Sequence, residues 1–383
     1  METIISENFS FFPPTSFWDV LIMVFIVCFL IQVFYYFYFF LSIVLHKKTT
    51  ITTNNDPVSV IVCAKNEREN LLAFLPLILS QNYPHFEVIV VNDNSVDDTQ
   101  DVLKAFSLQH SNLKIVTVPD NDRFYGNKKF ALTLGIKAAK YERVLLTDAD
   151  CKPLSTNWLN LMSNYTSPQK KIILGIGNYE KQKGWLNKLI RFETLYTAIQ
   201  YTSFALKNIP YMGVGRNLAY HTPLFFNNKG FASHYHILSG DDDLFINEVA
   251  NSKNTQVVLD KDAHTLSVPK TTLKSWIRQK QRHLLTGKHY QLKHQVLLGA
   301  FMLSNLFFVV LFLVLVFNLT VIHLIVTLFI LKYLIQIIIF KLSANKLGNE
   351  DVVIFTPFFE LFFMVFQPIL VISNFVKKRI KWN

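Results

Sequence analysis

The chain has 383 residues, 51% of them hydrophobic and 35 of them Phe, and its formal net charge at pH 7 is +11. This length and composition fit one large folded domain together with membrane segments. The three cysteines form neither a metal-binding spacing nor a disulfide framework, and the basic residues lie mostly beside apolar blocks rather than along an aromatic groove. We therefore expect a membrane protein with no nucleic-acid partner.

The first apolar block, residues 17–45, is almost free of charge, and the basic run His46-Lys47-Lys48 follows it directly. The block exceeds the roughly 20 residues that a helix needs to cross a bilayer. A signal peptide would have a shorter apolar core, a basic start and a small-residue cleavage site, and none is evident. The block predicts a retained transmembrane anchor, and its basic flank predicts that the next domain is cytoplasmic.

Residues 57–262 alternate short β-branched runs with amphipathic stretches. The predicted strands are 58–63, 86–93, 113–118 and 143–148, and the predicted helices are 66–81, 95–106 and 127–140. Ser95 is the expected N-cap of the second helix, which carries acids in its first turn. Buried strands that alternate with helices are typical of an α/β fold with a mostly parallel sheet.

Polar residues follow three of these strands. Ala64 and Glu67 follow the first, Asp93 ends the second, and Asp148 and Asp150 end the fourth. Because such sheets bind ligands outside the carboxyl ends of their strands, we expect one site here.

The pair Asp148 and Asp150 would repel each other unless a cation, a proton or solvent relieved them. Hard cations such as Mg²⁺ and Mn²⁺ take carboxylate oxygens together with substrate phosphates. The alternative is a solvated loop with a helix or turn cap. The strand context and the two companion strand ends favour a metal–phosphate site.

Asp93 and the lysines at the start of the third helix each have a structural and a functional interpretation. Asp93 fits an Asx turn that starts a helix, and its carboxylate could also accept a hydrogen bond from a nucleobase or ribose. A cation at a helix start can meet a diphosphate beside free amide donors. The alternative is an exposed lysine pair. Of Lys128 and Lys129, we assign one to function and take Lys128.

Two further groups lie toward the end of this domain. Residues 241–243 are all Asp and precede a helical pattern; three acids exceed what a cap requires, so one could serve as a general base. Residues 271–290 alternate apolar and basic side chains at helical spacing, which is typical of a helix at a membrane interface. Gln279 and Arg282, three residues apart, share a face that could meet a diphosphate or an acceptor.

Three apolar blocks follow. Residues 296–317 and 319–340 are separated only by Asn318 and predict a hairpin of two spanning helices. The block at 351–376 is interrupted by Pro357, Glu360, Gln367 and Pro368. A further crossing there would place the basic tail outside, against the preference of basic residues for the cytoplasm. We therefore expect 351–376 to form a re-entrant or interfacial hairpin.

These features, in this order and followed by membrane helices, resemble the family-two inverting glycosyltransferases of GT-A fold. The similarity is greatest to the membrane-bound branch of cellulose, hyaluronan and poly-N-acetylglucosamine synthases. It covers about residues 57–290 and rests on VIVCAKNERENL, VNDNSVDDT, YGNKKFAL, DAD, GVGRNLAY, GDDDL and QKQRH. Asn92 replaces the first Asp of the family's DDGSxDxT segment. His283 replaces the Trp of its QxxRW motif, which weakens the case for a processive polymer synthase.

The resemblance implies roles for the matching residues and a GT-A domain with a mixed, mostly parallel sheet. The nucleotide-sugar group is Ala64, Glu67, Asp93, Lys128, Asp148 and Asp150. The last two would also hold a divalent cation, Mg²⁺ or Mn²⁺, and Asp241 or Asp242 would be the catalytic base. The acceptor and diphosphate group is Asn217, Gln279, Arg282 and His283.

The implied reaction is the inverting transfer of a sugar from a nucleotide-diphosphate donor to a lipid-linked or membrane-proximal hydroxyl, in cell-surface glycan or glycolipid synthesis. The expected partners are the donor, a lipid or glycan acceptor and the membrane. The alternatives are a processive polysaccharide synthase, a non-catalytic nucleotide-sugar-binding scaffold, and a nucleotidyltransferase, which would release pyrophosphate.

The expected organisation follows the same order along the chain. It is an N-terminal transmembrane anchor at 1–48, a cytoplasmic GT-A domain at 49–268, an amphipathic interfacial segment at 269–295, a transmembrane hairpin at 296–341, and a further membrane-associated segment with a basic tail at 342–383. We expect the protein in a bacterial inner membrane.

Overall fold

A computed structural model of the chain describes residues 16–47, 55–119, 128–164 and 169–376. The basic tail expected after residue 376 lies outside these ranges. The chain divides into two compact units, one of Met1–Tyr36 with Val296–Gln336 and one of Phe37–Gln295 with Ile337–Asn383. The second unit contains the whole α/β domain, together with the last helix.

The described helices and strands alternate through the middle of the chain, as predicted. The helices are α1 Phe17–Phe34, α2 Leu41–Leu45, α3 Arg68–Leu79, α4 Thr99–Gln109, α5 Lys128–Ala138, α6 Trp158–Asn164, α7 Trp185–Leu206, α8 Thr222–Asn227, α9 Asp243–Val249, α10 Leu273–His283, α11 Leu292–Leu315, α12 Ile322–Leu347 and α13 Thr356–Val376, with a π-helix at Tyr35–Phe40 between the first two. The strands are β1 Val58–Ala64, β2 Phe86–Asn92, β3 Leu113–Thr117, β4 Arg143–Asp148, β5 Cys151–Pro153, β6 Ile172–Leu174, β7 Gly177–Tyr179, β8 Leu218–His221, β9 Thr255–Val257 and β10 Thr265–Ser267.

Seven of these strands form one sheet in the order β3-β2-β1-β4-β8-β6-β9. Strands β3, β2, β1 and β4 are parallel, and β8 pairs antiparallel with both β4 and β6. The predicted mixed, mostly parallel sheet is therefore confirmed. Its central strands consist largely of buried Val, Ile and Leu, because helices cover both faces of a parallel sheet.

The register of the central strands brings their polar ends together. Cys63 of β1 pairs with Val91 of β2 on one side and with Asp148 of β4 on the other. Asn66 and Asn94, just after β1 and β2, have φ of 55° and 50°, a left-handed conformation that Asn tolerates better than most residues. The chain therefore turns sharply at the carboxyl edge of the sheet, where the site was expected.

A second sheet consists of three short strands in the order β5-β10-β7. Its first strand in the chain, β5, follows the turn at the end of β4. Strand β10 pairs antiparallel with β5 and parallel with β7. The sequence analysis assigned no element directly after Asp150 and did not predict this sheet, because each strand has only three residues. It matters for the site, since β5 begins at Cys151 and β7 ends at Tyr179.

Two local predictions about helices are wrong. Helix α4 begins at Thr99, and Ser95 does not cap it; the Ser95 hydroxyl instead accepts a hydrogen bond from the Asn66 amide at 2.9 Å. The hairpin expected at 351–376 is absent. After a 3₁₀ turn at Glu350–Phe355, α13 runs unbroken for 21 residues with Pro368 inside it.

Helices α7 and α10 both pack on α13. Trp276 of α10 is fully buried and stacks on Phe366 at a ring separation of 5.1 Å. Phe192 of α7 contacts Phe359 at 5.2 Å. The apolar side of α10 is thus covered by protein at Trp276, where the sequence suggested a membrane surface.

Four helical segments among the described residues are long and apolar enough to cross a membrane: Phe17–Leu45, Leu292–Leu315, Ile322–Leu347 and Glu350–Asn374. This supports the predicted membrane association. Within the first unit, Gln32 donates to the Phe301 carbonyl at 2.9 Å and to the Ser304 hydroxyl at 2.8 Å. Such pairing satisfies a polar side chain where lipid would offer no partner.

Candidate active site

A cavity of about 390 Å³ lies at the carboxyl edge of the large sheet. Residues of both sheets, of α7 and of α10 line it, and all of them belong to the second unit. The cavity brings together every residue that the sequence analysis assigned to the site, with the exception of Asn217.

Asp93 and Glu67 form the part of the cavity next to β1 and β2. The Asp93 amide donates to the Ala64 carbonyl at 2.9 Å, which extends the pairing of the two strands by one residue. Burial raises the pKa of the Asp93 carboxyl, which is 4% exposed. Burial also raises the pKa of Glu67, whose carboxylate accepts a hydrogen bond from Asn70 at 2.6 Å. These two acids suit contacts with polar, uncharged groups such as a base or ribose.

Asp148 and Asp150 form the candidate metal site together with Cys151, and their ligand atoms lie within 4.8 Å of one another. Burial, and then the charge of Asp148, raise the pKa of Asp150. Burial also raises the pKa of the Cys151 thiol well above its ordinary value, and its sulfur lies 2.9 Å from the Ser267 hydroxyl. Because the thiol keeps its proton, the candidate metal ligands at this site are the carboxylates of Asp148 and Asp150. Mg²⁺ and Mn²⁺ prefer such oxygen ligands.

Lys128 lies between these acids and the second acidic group. Its Nζ is 2.8 Å from Asp148 Oδ1 and 3.1 Å from Asp241 Oδ2. Burial alone would lower the pKa of Lys128, but the two carboxylates outweigh it and hold the pKa well above its ordinary value. Lys128 is thus a positive charge held between the two acidic groups that line the cavity. Its neighbour Lys129 points elsewhere, donating to the carbonyls of His234 and Ile237 at 2.7 and 3.0 Å.

The three adjacent aspartates have three different surroundings. Burial would raise the pKa of Asp241, but Lys128 outweighs it and lowers the pKa. Burial, and then the charges of Asp241 and Asp243, raise the pKa of Asp242 to about 7. Asp242 accepts hydrogen bonds from the amides of Gly215 and Asp243 at 2.7 and 2.8 Å, which fix its orientation.

The carboxylate of Asp243 has a structural role. It is buried and accepts hydrogen bonds from the hydroxyls of Thr286 at 2.5 Å and Tyr290 at 2.8 Å. These contacts tie the start of α9 to the segment that follows α10. Of the three acids, Asp242 alone combines a place in the cavity with a pKa suited to proton transfer near neutral pH.

Helix α10 contributes Gln279, Arg282 and His283 to the cavity. The Gln279 amide donates to the Tyr179 hydroxyl at 3.0 Å. Arg282 lies one turn further along the same helix, as the three-residue spacing predicted. The predicted face of α10 therefore does meet the strand-end acids.

The prediction that Asn217 belongs to the acceptor and diphosphate group is wrong. It is fully buried, and its amide is used inside the core: Oδ1 accepts from Trp158 at 3.0 Å, while Nδ2 donates to the carbonyls of Ile176 and Ala263 at 2.9 and 2.8 Å. A Cβ at Gly175 would lie 2.5 Å from the Asn217 side chain, so the backbone is closed around it. Asn217 cannot contact an acceptor in this structure.

The neighbouring Arg216, which the sequence analysis did not select, lines the cavity instead. Its guanidinium lies over the Tyr179 ring at 4.4 Å from the centroid. Glu193 and Lys280 were also missed; they line the cavity as an ion pair with an N–O distance of 2.6 Å. The stretch GVGRNLAY was a usable signal for this region, but it did not show which of its polar side chains faces the cavity.

Part of this chain is similar to known proteins. Residues 59–225 match the family model described as glycosyl transferase family 2. Over 93 residues, 24% of this chain, the sequence is 37% identical to the poly-beta-1,6-N-acetyl-D-glucosamine synthase of Staphylococcus epidermidis, and this stretch spans 21% of that protein. Over 104 residues, 27% of this chain and 33% of the relative, it is 34% identical to glycosyltransferase AglE of Haloferax volcanii.

A solved structure matches over nearly the full length. The mannosyltransferase PcManGT of Pyrobaculum calidifontis, in complex with GDP-Man and Mn²⁺, aligns with a TM-score of 0.57 over 91% of this chain and 98% of that chain, at 18% identity. At this identity the match shows the fold alone. Residues 59–225 thus match a family-two glycosyltransferase domain, and the fold is that of the GT-A glycosyltransferases, as the motifs predicted.

Proposed function

We propose that the protein transfers a sugar, with inversion, from a nucleotide-diphosphate sugar to a lipid-linked or membrane-proximal hydroxyl in cell-surface glycan synthesis. The observation that carries this proposal is the meeting, in one cavity, of the strand-end acids, the Asp242 carboxyl and the Arg282 guanidinium. The chain spans about a fifth of the length of the first curated relative that it matches. The activity of that relative is therefore not transferred to this chain by similarity alone.

The reaction is a direct displacement at the anomeric carbon. A bond forms between the acceptor oxygen and that carbon, and the bond from the carbon to the diphosphate oxygen breaks. Asp242 takes the proton of the acceptor hydroxyl, because its pKa of about 7 makes it the better base, whereas Asp241 is ion-paired with Lys128. The bond pair leaves with the nucleoside diphosphate. One base on the face opposite the leaving group gives inversion.

Negative charge grows on the diphosphate as it leaves. Lys128, held beside Asp148, and Arg282 both line the cavity, so both can stabilise this charge. A divalent cation bound by Asp148 and Asp150 would neutralise part of the same charge. Asp93 and Glu67 lie next to the strand ends, where the base or ribose would be recognised.

The acceptor side of the cavity faces the helices that adjoin the membrane segment. Helices α7 and α10 line the cavity on one side and pack against α13 on the other. Helix α13 presents exposed apolar side chains at Phe358 and Val365, 63% and 64% exposed, in a segment apolar enough to enter lipid. An acceptor that arrives from the bilayer would therefore reach the base along a short path.

A processive polysaccharide synthase is the second candidate. The name of the Staphylococcus epidermidis relative favours it. Against it, the position expected to carry the aromatic platform for a growing sugar chain holds His283. Both candidates share the donor site and the base, and they differ in whether the product stays bound.

The test uses full-length protein in detergent or proteoliposomes, with UDP-glucose, UDP-N-acetylglucosamine and GDP-mannose as donors and extracted membrane lipids as acceptors. Released nucleoside diphosphate and sugar in the lipid fraction are measured. We expect one donor to give a single-sugar lipid product, and D242N to lower its rate by about 10²- to 10⁴-fold. The matched control is D101N, an exposed acid on α4.

Each alternative has a distinct product. A long glycan would favour the polymer synthase, and pyrophosphate released from a nucleoside triphosphate would identify a nucleotidyltransferase. Full transfer by D242N would remove the base assignment. Failure of the parent protein to release nucleoside diphosphate from any donor would favour a non-catalytic scaffold.

A further inference from the structure

The guanidinium of Arg216 is a positive charge in the cavity that has no carboxylate contact among the residues that the structure describes. Its polar contacts are neutral: the side chain lies over the Tyr179 ring at 4.4 Å, and Nη1 is 3.4 Å from the Ser267 hydroxyl. Two other cations that line the cavity are ion-paired, Lys128 with two aspartates and Lys280 with Glu193. Among the described residues, Arg216 therefore differs from these two lysines in having no carboxylate within ion-pair distance.

The small sheet holds Arg216 in this position. Tyr179 and Ser267 come from its strands β7 and β10, and the Tyr179 hydroxyl is itself held by Gln279 at 3.0 Å. Gly177, also on β7, lies directly under the arginine: a Cβ there would stand 2.5 Å from Arg216 Cγ and Nε. The side chain thus runs along bare backbone, and only glycine at residue 177 leaves room for it.

This placement directs the charge toward the transfer site. Strand β5 of the same sheet begins at Cys151, directly after the candidate metal ligand Asp150. Arg216 Nη1 lies 3.4 Å from the Ser267 hydroxyl, and Ser267 pairs across the sheet with Cys151, the residue directly after Asp150. Arg216 and Asp150 therefore border the same part of the cavity.

A partly buried cation without a charged partner loses hydration that neutral contacts replace only in part. An anion would restore that loss. Guanidinium groups bind phosphate through parallel, charge-assisted hydrogen bonds, and a flat ring behind the guanidinium leaves its edge free to make them. The surroundings of Arg216 therefore fit an oxygen-rich anion rather than a neutral sugar.

We propose that Arg216 forms a phosphate-binding site in the transfer cavity, built on the small sheet and separate from the Asp148 and Asp150 carboxylates. This rests on the proposed function, which supplies two sources of phosphate: the departing nucleoside diphosphate and a phosphate group of the lipid acceptor. The shared chemistry is a phosphate oxygen held by the guanidinium edge.

The test measures binding rather than turnover. Full-length protein in detergent is titrated with UDP, GDP, inorganic pyrophosphate and dodecyl phosphate, each with MgCl₂, by calorimetry. R216Q removes the charge, and R216K keeps it without the planar fork. G177A keeps the arginine but displaces it, because the added Cβ occupies its path. G287A is the matched control, since a Cβ at Gly287 meets nothing within 4 Å.

We expect R216Q and G177A to weaken phosphate binding by about 10- to 100-fold, R216K to weaken it less, and G287A to leave it unchanged. A loss for UDP or GDP and for pyrophosphate, with dodecyl phosphate unaffected, assigns the site to the leaving diphosphate. A loss confined to dodecyl phosphate assigns it to the acceptor. Thermal unfolding of each variant identifies any that is misfolded; R216K and R216Q then carry the comparison if G177A fails to fold.

Equal affinities of R216Q and the parent for all four probes would overturn the proposal, as would a parent that binds none of them. These results are distinct from failure of the proposed function. Normal sugar transfer with unchanged binding in R216Q removes only the phosphate site. Arg216-dependent binding of pyrophosphate by a parent that transfers no sugar from any donor removes only the proposed reaction.

Discussion

Replacing Asp242 with Asn should stabilise the folded protein relative to the parent as the pH rises from 5 to 8. Burial and the neighbouring charges of Asp241 and Asp243 raise the pKa of Asp242 from 3.8 to about 7. The folded state therefore binds a proton that the unfolded chain releases. The parent's free energy of unfolding falls between about pH 4 and pH 7, and above pH 7 the full cost of the buried charge is present.

The size of this cost follows from the shift in pKa. A difference of about three units corresponds to roughly 4 kcal/mol, which is an upper limit because three acids are coupled here. Asn can accept only one of the two hydrogen bonds from the amides of Gly215 and Asp243, which costs about 1 kcal/mol at every pH. The diagnostic quantity is therefore how the difference in free energy of unfolding between D242N and the parent changes with pH. The lost hydrogen bond contributes the same amount to this difference at every pH.

The assay is thermal unfolding of full-length parent, D242N and D101N in one detergent at pH 5, 6, 7 and 8. D101N is the control because Asp101 is 78% exposed in its side chain and makes only a surface pair with Lys104 at 3.6 Å. We expect the melting temperature of D242N, relative to that of the parent, to increase as the pH rises. The melting temperature of D101N should change with pH as that of the parent does. A constant offset between D242N and the parent would refute the reasoning, since Asp242 would then ionise as an ordinary carboxyl. In the same range, the kcat/KM of the parent should fall below about pH 7, as a base with this pKa requires.

Three further predictions follow from other parts of the structure. EDTA should abolish release of nucleoside diphosphate and added Mg²⁺ or Mn²⁺ should restore it; full activity without metal would leave the strand-end carboxylates as direct nucleotide contacts. Asn217→Ala should lower the free energy of unfolding by about 2–4 kcal/mol, because it strands the Trp158 indole N–H and the Ala263 carbonyl in the core, while the KM for acceptor of the folded fraction stays unchanged. A raised acceptor KM would return Asn217 to the site. Trp276→Ala should cost about 3–5 kcal/mol, measured by denaturant titration, because Trp276 is fully buried against Phe366, whereas Leu273→Ala, 53% exposed on the same helix, should cost far less.

Much of the site was predictable from the sequence because it depends on strand ends. In parallel strands the carboxyl ends meet at one edge, so Asp93, Asp148 and Asp150 had to come close once the β-α alternation was recognised. The placement of Gln279 and Arg282 on one face of α10 likewise follows from helical spacing. These inferences need only local periodicity and a sheet of known sense.

Other assignments required the tertiary structure. In GVGRNLAY, Arg216 and Asn217 are adjacent, and neighbouring side chains point in different directions; which of them faces the cavity is decided by the Trp158 indole and by the space above Gly177. Asp241 and Asp242 are adjacent, but Lys128, more than 100 residues earlier in the chain, pairs with the first and not the second.

The sequence by itself determined that this chain has segments long and apolar enough to cross a membrane before and after an α/β domain, and that acids follow the strands of that domain, because hydrophobic periodicity and strand sense are local properties. Only the tertiary structure decided which acid can act as a base, that α13 continues through Pro368, and that a three-stranded sheet carries Arg216 into the cavity. The physical reason is that pKa values, helix continuity and strands of three residues depend on contacts between residues distant in the chain. Such contacts have no signature in local composition.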